Sequence, residues 1–321
     1  MYSDGKRGTL QFRQFDIGYL FANYDYEDVV YLLVWGCLPT PALKAKSRAR
    51  IAKQMSPHSS VKRTIQAFDI KAPAFLIVAA GLSAWAAAQP ENVPVARGRS
   101  IYDNDKQAID DGIYRSLAAF STVVAMTYCH QNGIVFTDRV DTDLSTIENM
   151  LIMMGRVDSF GNANIDDVRV LNKMWILFAD HEMTNSTAAF LNAASTLGDP
   201  ISACVASVAS GNGPLHGGAI DLTYQQFKLM GSMEGAQRYI DDVRMKKCRL
   251  MGIGHRIYKT VDPRIQHLRS LMATLKPALL QNPLLDIAME IDRTVAADLY
   301  FTTRNLSINA DLYGSFIYAA L

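Results

Sequence analysis

Gly213-Pro214-Leu215-His216-Gly217-Gly218-Ala219 is the stretch on which the reading of this 321-residue chain turns. Ahead of it, Ile201–Ser210 (ISACVASVAS) is a run of small residues that predicts a tightly packed helix. Behind it, Ile220, Tyr224 and Phe227 recur at helical spacing, so a second helix is expected to start near Gly218. His216 is thereby expected on a glycine-flanked elbow at a helix N-terminus. Glycines let the backbone approach a ligand closely, and the free N–H groups of a helix start favour negative charge. The same dipole disfavours imidazolium, so His216 is expected to be neutral and able to donate to an enolate oxygen. A structural histidine in a glycine-rich turn has the same local pattern.

Working outward, the length suggests about two domains, and 49% hydrophobic residues suffice for a large core. A net charge of +1 with 20% charged residues gives no general attraction to nucleic acid or to an anionic membrane. An anionic ligand must then be held by a local basic cluster. Cys37, Cys129, Cys204 and Cys248 lie far apart without zinc-like spacing, which suits reduced thiols in an intracellular protein. Met1 is followed by YSDGKRGT rather than an apolar run, so no secretory leader is expected. Ala72–Pro90 is uncharged, but it is alanine-rich and bracketed by Pro73 and Pro90. It reads as a buried helix rather than a membrane span, and a soluble protein is expected.

Helical patterns dominate. Thr9–Phe15 alternates apolar and polar side chains and predicts a short strand or hairpin. Helices are expected over Tyr26–Trp35, Ala42–Met55, Pro73–Ala88, Asp105–Gln131, Asp166–Ala179, Gly235–Lys247, Ile265–Leu275 and Leu284–Tyr300. Ser145 and Glu148 have capping-box spacing ahead of the apolar run Met150–Met154. The fold class is mainly α.

Three further stretches carry chemistry. Asp180-His181-Glu182-Met183-Thr184-Asn185-Ser186-Thr187 closes an apolar helix and opens a polar patch. A zinc reading of His181-Glu182 lacks its second ligand, because Asn185 stands four residues on. Met251–Arg264 (MGIGHRIYKTVDPR) gathers His255, Arg256, Lys259 and Arg264 on a loop broken by Gly252, Gly254 and Pro263. Arg offers bidentate contacts to a carboxylate and Lys a point charge to a phosphate, although a solvated basic loop looks the same. Asn309-Ala310-Asp311-Leu312-Tyr313-Gly314 places one carboxylate in what reads as a short polar turn.

Together these stretches resemble the citrate synthase family over almost the whole chain. The resemblance runs from DGKRGTLQFRQFDI through YEDVVYLLVWGCLPT, ADHEMTNSTAAF, GPLHGGA and MGIGHRIYKTVDPR to NADLYGSFIY. It implies a condensation of an acyl-CoA with oxaloacetate, followed by thioester hydrolysis, with no metal or redox cofactor. By position in the motifs, Asp311 resembles the base that removes the α-proton, and His216 the donor to the resulting enol or enolate. His255 would hydrogen-bond the ketone of oxaloacetate. His181 and Arg264 would bind its carboxylates with help from Asn185, and Lys259 and Arg256 would meet CoA phosphate. The implied architecture is a large helical domain over 1–216, with 314–321 returning to it, and a small domain over 217–313. The small domain would close with His216 at the hinge, and a homodimer is implied.

Ile220-Asp221 stands where the family usually shows asparagine and an acidic residue, and Gln11–Gln14 replaces an RYRG-like opening. Ser210-Gly211-Asn212 replaces a more apolar lead-in. These departures flank the catalytic turn and lean toward a specialised member making an alkylcitrate, with citrate or 2-methylcitrate as the alternative. The family implies further helices and arginines beyond Leu321, without which weak oxaloacetate binding and a poorly formed dimer interface are expected. A homologue that binds CoA or a dicarboxylate without turnover is the competing class. The compartment, whether mitochondrial, peroxisomal or cytosolic, is left open.

Overall fold

A computed structural model describes residues 2–275 and 281–321, and it is mainly helical with one small antiparallel sheet. The sheet has the order β1 (Tyr2–Asp4), β2 (Thr9–Phe12), β3 (Phe15–Asp16), with Ser3 opposite Leu10 and Phe12 opposite Phe15. Alternation along β2 sends Leu10 and Phe12 into the interior, both fully buried, as the period of two requires.

The described residues cluster by contact into two compact units. The first joins the stretch up to Val29 with Lys173–Glu182 and Gly217–Leu321, and the second comprises Val30–Asn172 and Met183–His216. The expected division at 216/217 is of another kind, between bodies that close on a substrate. In the first unit, the turn after β1 seats directly on the loop that follows His255. Lys259 N–H donates to Gly5 O at 2.8 Å, and a side chain at Gly5 would collide with Ile257 O. A glycine is required there.

The second unit is built around the alanine-rich helix Ala74–Ala87. Ile77, Val78, Leu82, Trp85 and Ala86 on it are buried with Val61, Ile65, Ala119, Val123, Met126, Ile201 and Val208 from the surrounding helices. Ala72–Pro90 thus contains a buried core helix, and no described helix is long and apolar enough to cross a membrane. Small residues let neighbouring helices approach, and each large side chain removed from water contributes roughly 1.5–3 kcal/mol. Ser145 and Glu148 form the expected capping box, with Glu148 N–H donating to Ser145 Oγ at 3.2 Å and Ser145 N–H to Glu148 Oε2 at 2.8 Å. The helices expected at Tyr26–Trp35, Pro73–Ala88 and Asp105–Gln131 are present as Tyr26–Trp35, Ala74–Ala87 and Lys106–Asn132.

Four differences from the expected elements have local causes. Ser59–Gln66 is a helix despite its polar sequence, because His58 caps it and Val61 and Ile65 fall on one buried face. The polar patch after His181 is itself helical over Asn185–Ala194, started by Thr184, whose side chain accepts from Thr187 N–H. The helix expected to run to Tyr300 stops at Ala297, because Asp298 leaves the helical conformation and caps a short helix, Leu299–Thr302. Asn309–Gly314 is no turn: Asn309 is the N-cap of a helix over Ala310–Ala320 that buries Leu312, Phe316 and Ile317 completely. Asp311 therefore stands in the first turn of a buried helix.

Candidate active site

In the first unit the loop after Met251 and the segment before Asp311 run side by side. Ile253 and Ile308 form an antiparallel bridge, Gly254 N–H donates to Ser307 O at 2.7 Å, and Asn309 N–H donates to Gly252 O at 2.9 Å. Gly252 has φ +79°, and a methyl there would come within 3.1 Å of Leu312 Cα, so only glycine permits this approach. The pairing places His255 one residue past Gly254 and Asp311 two residues past Asn309.

His255 sits in a ring cluster with His181 and Tyr258. Its centroid is 4.9 Å from that of His181 and 4.7 Å from that of Tyr258, and His181 Nε2 lies 3.2 Å from the Tyr258 hydroxyl. Ile257 N–H and Tyr258 N–H both point at His255 Nδ1, at 3.1 and 3.3 Å. Nδ1 is thus the acceptor, and the single proton of a neutral ring is assigned to Nε2. Burial holds both imidazoles down to about 4, with the nearby Arg264 guanidinium acting in the same direction. Both rings are neutral at physiological pH, and His255 presents an Nε2–H donor.

Beneath the rings lies a buried ion pair. Asp262 Oδ1 accepts from Arg264 N–H and Nε–H, both at 3.0 Å, while Oδ2 accepts from Arg264 Nη2 at 2.7 Å and from Ala310 N–H at 3.1 Å. Burial pushes the Asp262 carboxyl up, but the Arg264 guanidinium outweighs it and holds it below the usual carboxylate range. Arg264 also lies over the Phe178 ring, 5.3 Å from its centroid. Of its guanidinium nitrogens, Nη1 has no recorded hydrogen-bond partner among the described residues. The pair joins the loop to the start of the Asp311 helix. Removing one member leaves a buried charge exposed to its full desolvation cost, so Asp262→Ala is expected to lose about 3–5 kcal/mol of unfolding free energy. Chemical denaturation checks this, and a loss under about 1 kcal/mol, the range of a surface pair, would mean that Arg264 finds water in place of Asp262.

Burial also raises the Asp311 carboxyl to about 6, against the opposing pull of Arg264. A carboxylate with that affinity for protons is a serviceable base near neutrality. Arg256 and Lys259 are both exposed on the same loop, with Lys259 Nζ 3.3 Å from Arg256 O. They are the cations this loop leaves to solvent.

The second unit holds the remaining expected residues. His216 Nε2 lies 3.3 Å from Ser186 N–H and 2.7 Å from Ser186 Oγ. The backbone donor makes Nε2 an acceptor, so the proton of the neutral ring is assigned to Nδ1. Nδ1 has no recorded partner among the described residues. Burial lowers the affinity of His216 for a proton, and the helix that follows at Gly218 begins with no side-chain cap. Asn185 opens the helix Asn185–Ala194, and its Oδ1 accepts from the Ser210 hydroxyl.

The first unit therefore brings together His181, His255, Arg264 and Asp311, with Arg256 and Lys259 at the rim of the loop. His216 and Asn185 are set by Ser186 and Ser210 in the other unit. Tyr258, Asp262, Ser186 and Asn309 contact these residues or their loop, and the sequence pattern does not mark them. Each lies within two or three residues of a marked position, and each acts through a backbone or ring contact that spacing does not reveal. Among the described residues, no three of His, Cys, Asp or Glu are grouped to hold a metal ion.

A family model described as "Citrate synthase, C-terminal domain" matches residues 1–321. A citrate synthase-like protein, oryE, from Aspergillus oryzae is 38% identical over 321 residues, covering 100% of this chain and 72% of that protein. The alkylcitrate synthase tstJ of Talaromyces stipitatus is 33% identical over 298 residues, covering 92% of this chain and 66% of its own length. Among solved structures, a ternary complex of carboxymethyl coenzyme A and oxaloacetate with citrate synthase from Thermoplasma acidophilum superposes with a TM-score of 0.85. It is 26% identical, with 99% of this chain and 80% of that one covered.

Proposed function

This chain belongs to the citrate synthase family, and from that premise we propose that it condenses an acyl-CoA with oxaloacetate and hydrolyses the product thioester. The observation that carries the reading is the pairing of 252–254 with 307–309. It ties the loop carrying a neutral imidazole with a free Nε2–H to the helix start carrying a carboxylate raised to about 6.

In this reading Asp311 takes a proton from the carbon next to the thioester carbonyl. The charge that develops on the carbonyl oxygen is met by the Nδ1–H of His216, and domain closure that brings the two together is part of the proposal. His255 donates Nε2–H to the ketone oxygen of oxaloacetate, so that its carbon accepts the new C–C bond. Arg264, with Nη1 left over from its pairing to Asp262, binds a substrate carboxylate, as do His181 and Asn185. Lys259 and Arg256 face CoA phosphate. Water then cleaves the thioester and releases the CoA thiol. Rigid donors aimed at developing charge supply most of the acceleration, because they need no reorganisation during the reaction. No resident cofactor is needed for these steps, and a homodimer is part of the same family reading.

For the acyl donor we favour a chain longer than acetyl, giving an alkylcitrate. Two features support this: the likeness to the alkylcitrate synthase tstJ, and Ile220 in place of a polar residue. Ile220 packs beside the Asp311 helix, where a methyl on Gly314 would come within 3.3 Å of Ile220 Cδ1. Thiol release with oxaloacetate and a panel of acetyl-, propionyl- and hexanoyl-CoA tests both reaction and donor. Hexanoyl-CoA is expected to give the highest kcat/KM. A preference for acetyl-CoA of about tenfold, worth roughly 1.4 kcal/mol in transition-state binding, would make citrate the product.

A further inference from the structure

Asn309 bonds in three directions. Its backbone N–H donates to Gly252 O at 2.9 Å, its Nδ2 donates to Gly254 O at 2.7 Å, and its Oδ1 accepts from Asp311 N–H at 2.9 Å. Gly254 is the residue immediately before His255, and Asp311 lies in the first turn of the helix that Asn309 caps. One planar amide therefore grips the peptide that carries the imidazole and the peptide that carries the carboxylate.

Building on the function proposed above, we propose that Asn309 is a positioning residue whose side-chain amide sets the separation and orientation of His255 and Asp311. Capping alone does not account for this residue. Ser, Thr and Asp cap a helix about as well as Asn, since each offers an acceptor to the first free N–H groups. Only an amide adds an N–H donor on the same rigid plane, and glutamine is one methylene too long to keep both bonds. The bond to Gly254 O is the one that capping does not require. It acts where the chain needs a constraint, since Gly254 adopts φ +76° and leads directly into His255. Asp262 supplies a second tether through Ala310 N–H, but from the far end of the same loop, seven residues beyond His255. Asn309 makes the link beside His255 itself.

The test compares Asn309→Ser and Asn309→Asp with wild type in the full chain, by three measurements. These are thermal midpoint, steady-state thiol release with oxaloacetate and the best acyl-CoA, and the pH titration of the His255 ring nitrogens by NMR. Asn309→Ser keeps a cap and should melt close to wild type. Its kcat should nevertheless fall about 10- to 100-fold, the scale of a misplacement near 1 Å, with KM for acyl-CoA little changed. In the same variant the His255 midpoint should climb from its depressed value toward the ordinary imidazole range. Asn309→Asp should lose a similar factor. It should also move the acid limb of kcat to higher pH, because a new carboxylate joins Arg264, Asp262 and His255 around Asp311. Wild-type kcat and an unchanged His255 titration in a folded Asn309→Ser protein would overturn the proposal. So would losses that follow only the fraction of unfolded protein. Should wild type release no thiol from any donor, the proposed function fails. The His255 titration then decides the role of Asn309 by itself.

Discussion

Asp311→Ala is expected to lower kcat by about 10²- to 10⁴-fold, the contribution of a positioned base, without destabilising the protein. The proton next to a thioester is weakly acidic, and nothing else in the cluster can take it. His181 and His255 are held down to about 4 by burial, and the Asp262 carboxylate already accepts four N–H bonds. Burial raises Asp311 to about 6, so the fold resists its charged form and a neutral residue should be tolerated at least as well. The base works only when deprotonated. The rate in wild type should therefore fall as pH drops through about 6, with no second limb from the two histidines until near 4. Thiol release across this pH range, together with melting curves of the variant, checks both parts. A folded Asp311→Ala protein as active as wild type would remove the base assignment and favour a protein that only binds its ligands.

His216→Ala is expected to reduce kcat by about 10²- to 10³-fold, the scale for deleting one preorganised donor to a developing oxyanion. Ser186 presents a backbone N–H and a hydroxyl to Nε2, which fixes the ring and leaves the proton on Nδ1. A donor of this kind acts on the charge formed during proton removal and hardly on the bound ground state. The loss should therefore appear in kcat, with KM for the acyl-CoA changing little. If instead KM rises and kcat is kept, His216 is a binding group and the enolate must be stabilised elsewhere.

Much of this arrangement was legible in the amino-acid order, and the reason is physical. Long helices such as Lys106–Asn132 and Ala74–Ala87 carry strong periodicity, and the Ser145–Glu148 cap is a local motif. The glycine-bounded histidine loop and the GPLHGGA elbow are likewise short-range patterns. The Asn309–Gly314 stretch reads as a turn in the sequence but starts a helix in the structure. A lone N-cap and six residues carry too little periodic signal, and burial against distant helices decides the matter. Asn185–Ala194 is hidden in the sequence for a related reason: none of its residues is fully buried, so no apolar stripe announces it. The partners of the site residues were the least visible. Asp262 engages Arg264 across two positions but also Ala310 across forty-eight, and Asn309 reaches Gly254 across fifty-five. Contacts of that span belong to the folded chain alone.

The chain leaves the neighbourhood of His255 and returns to it at Ser307 through a narrow neck closed by Gly254, Ser307 and Asn309. On that detour lies the helix Leu284–Ala297, which buries Ile287, Ala288, Ile291 and Val295 and whose Asp292 accepts from the Tyr313 hydroxyl of the Asp311 helix. Lengthening a loop whose ends are already joined costs little, since closure entropy grows only with the logarithm of length. Insertions are therefore tolerable at the exposed ends of this detour, whereas its buried helix face is tied to the same helix that carries Asp311.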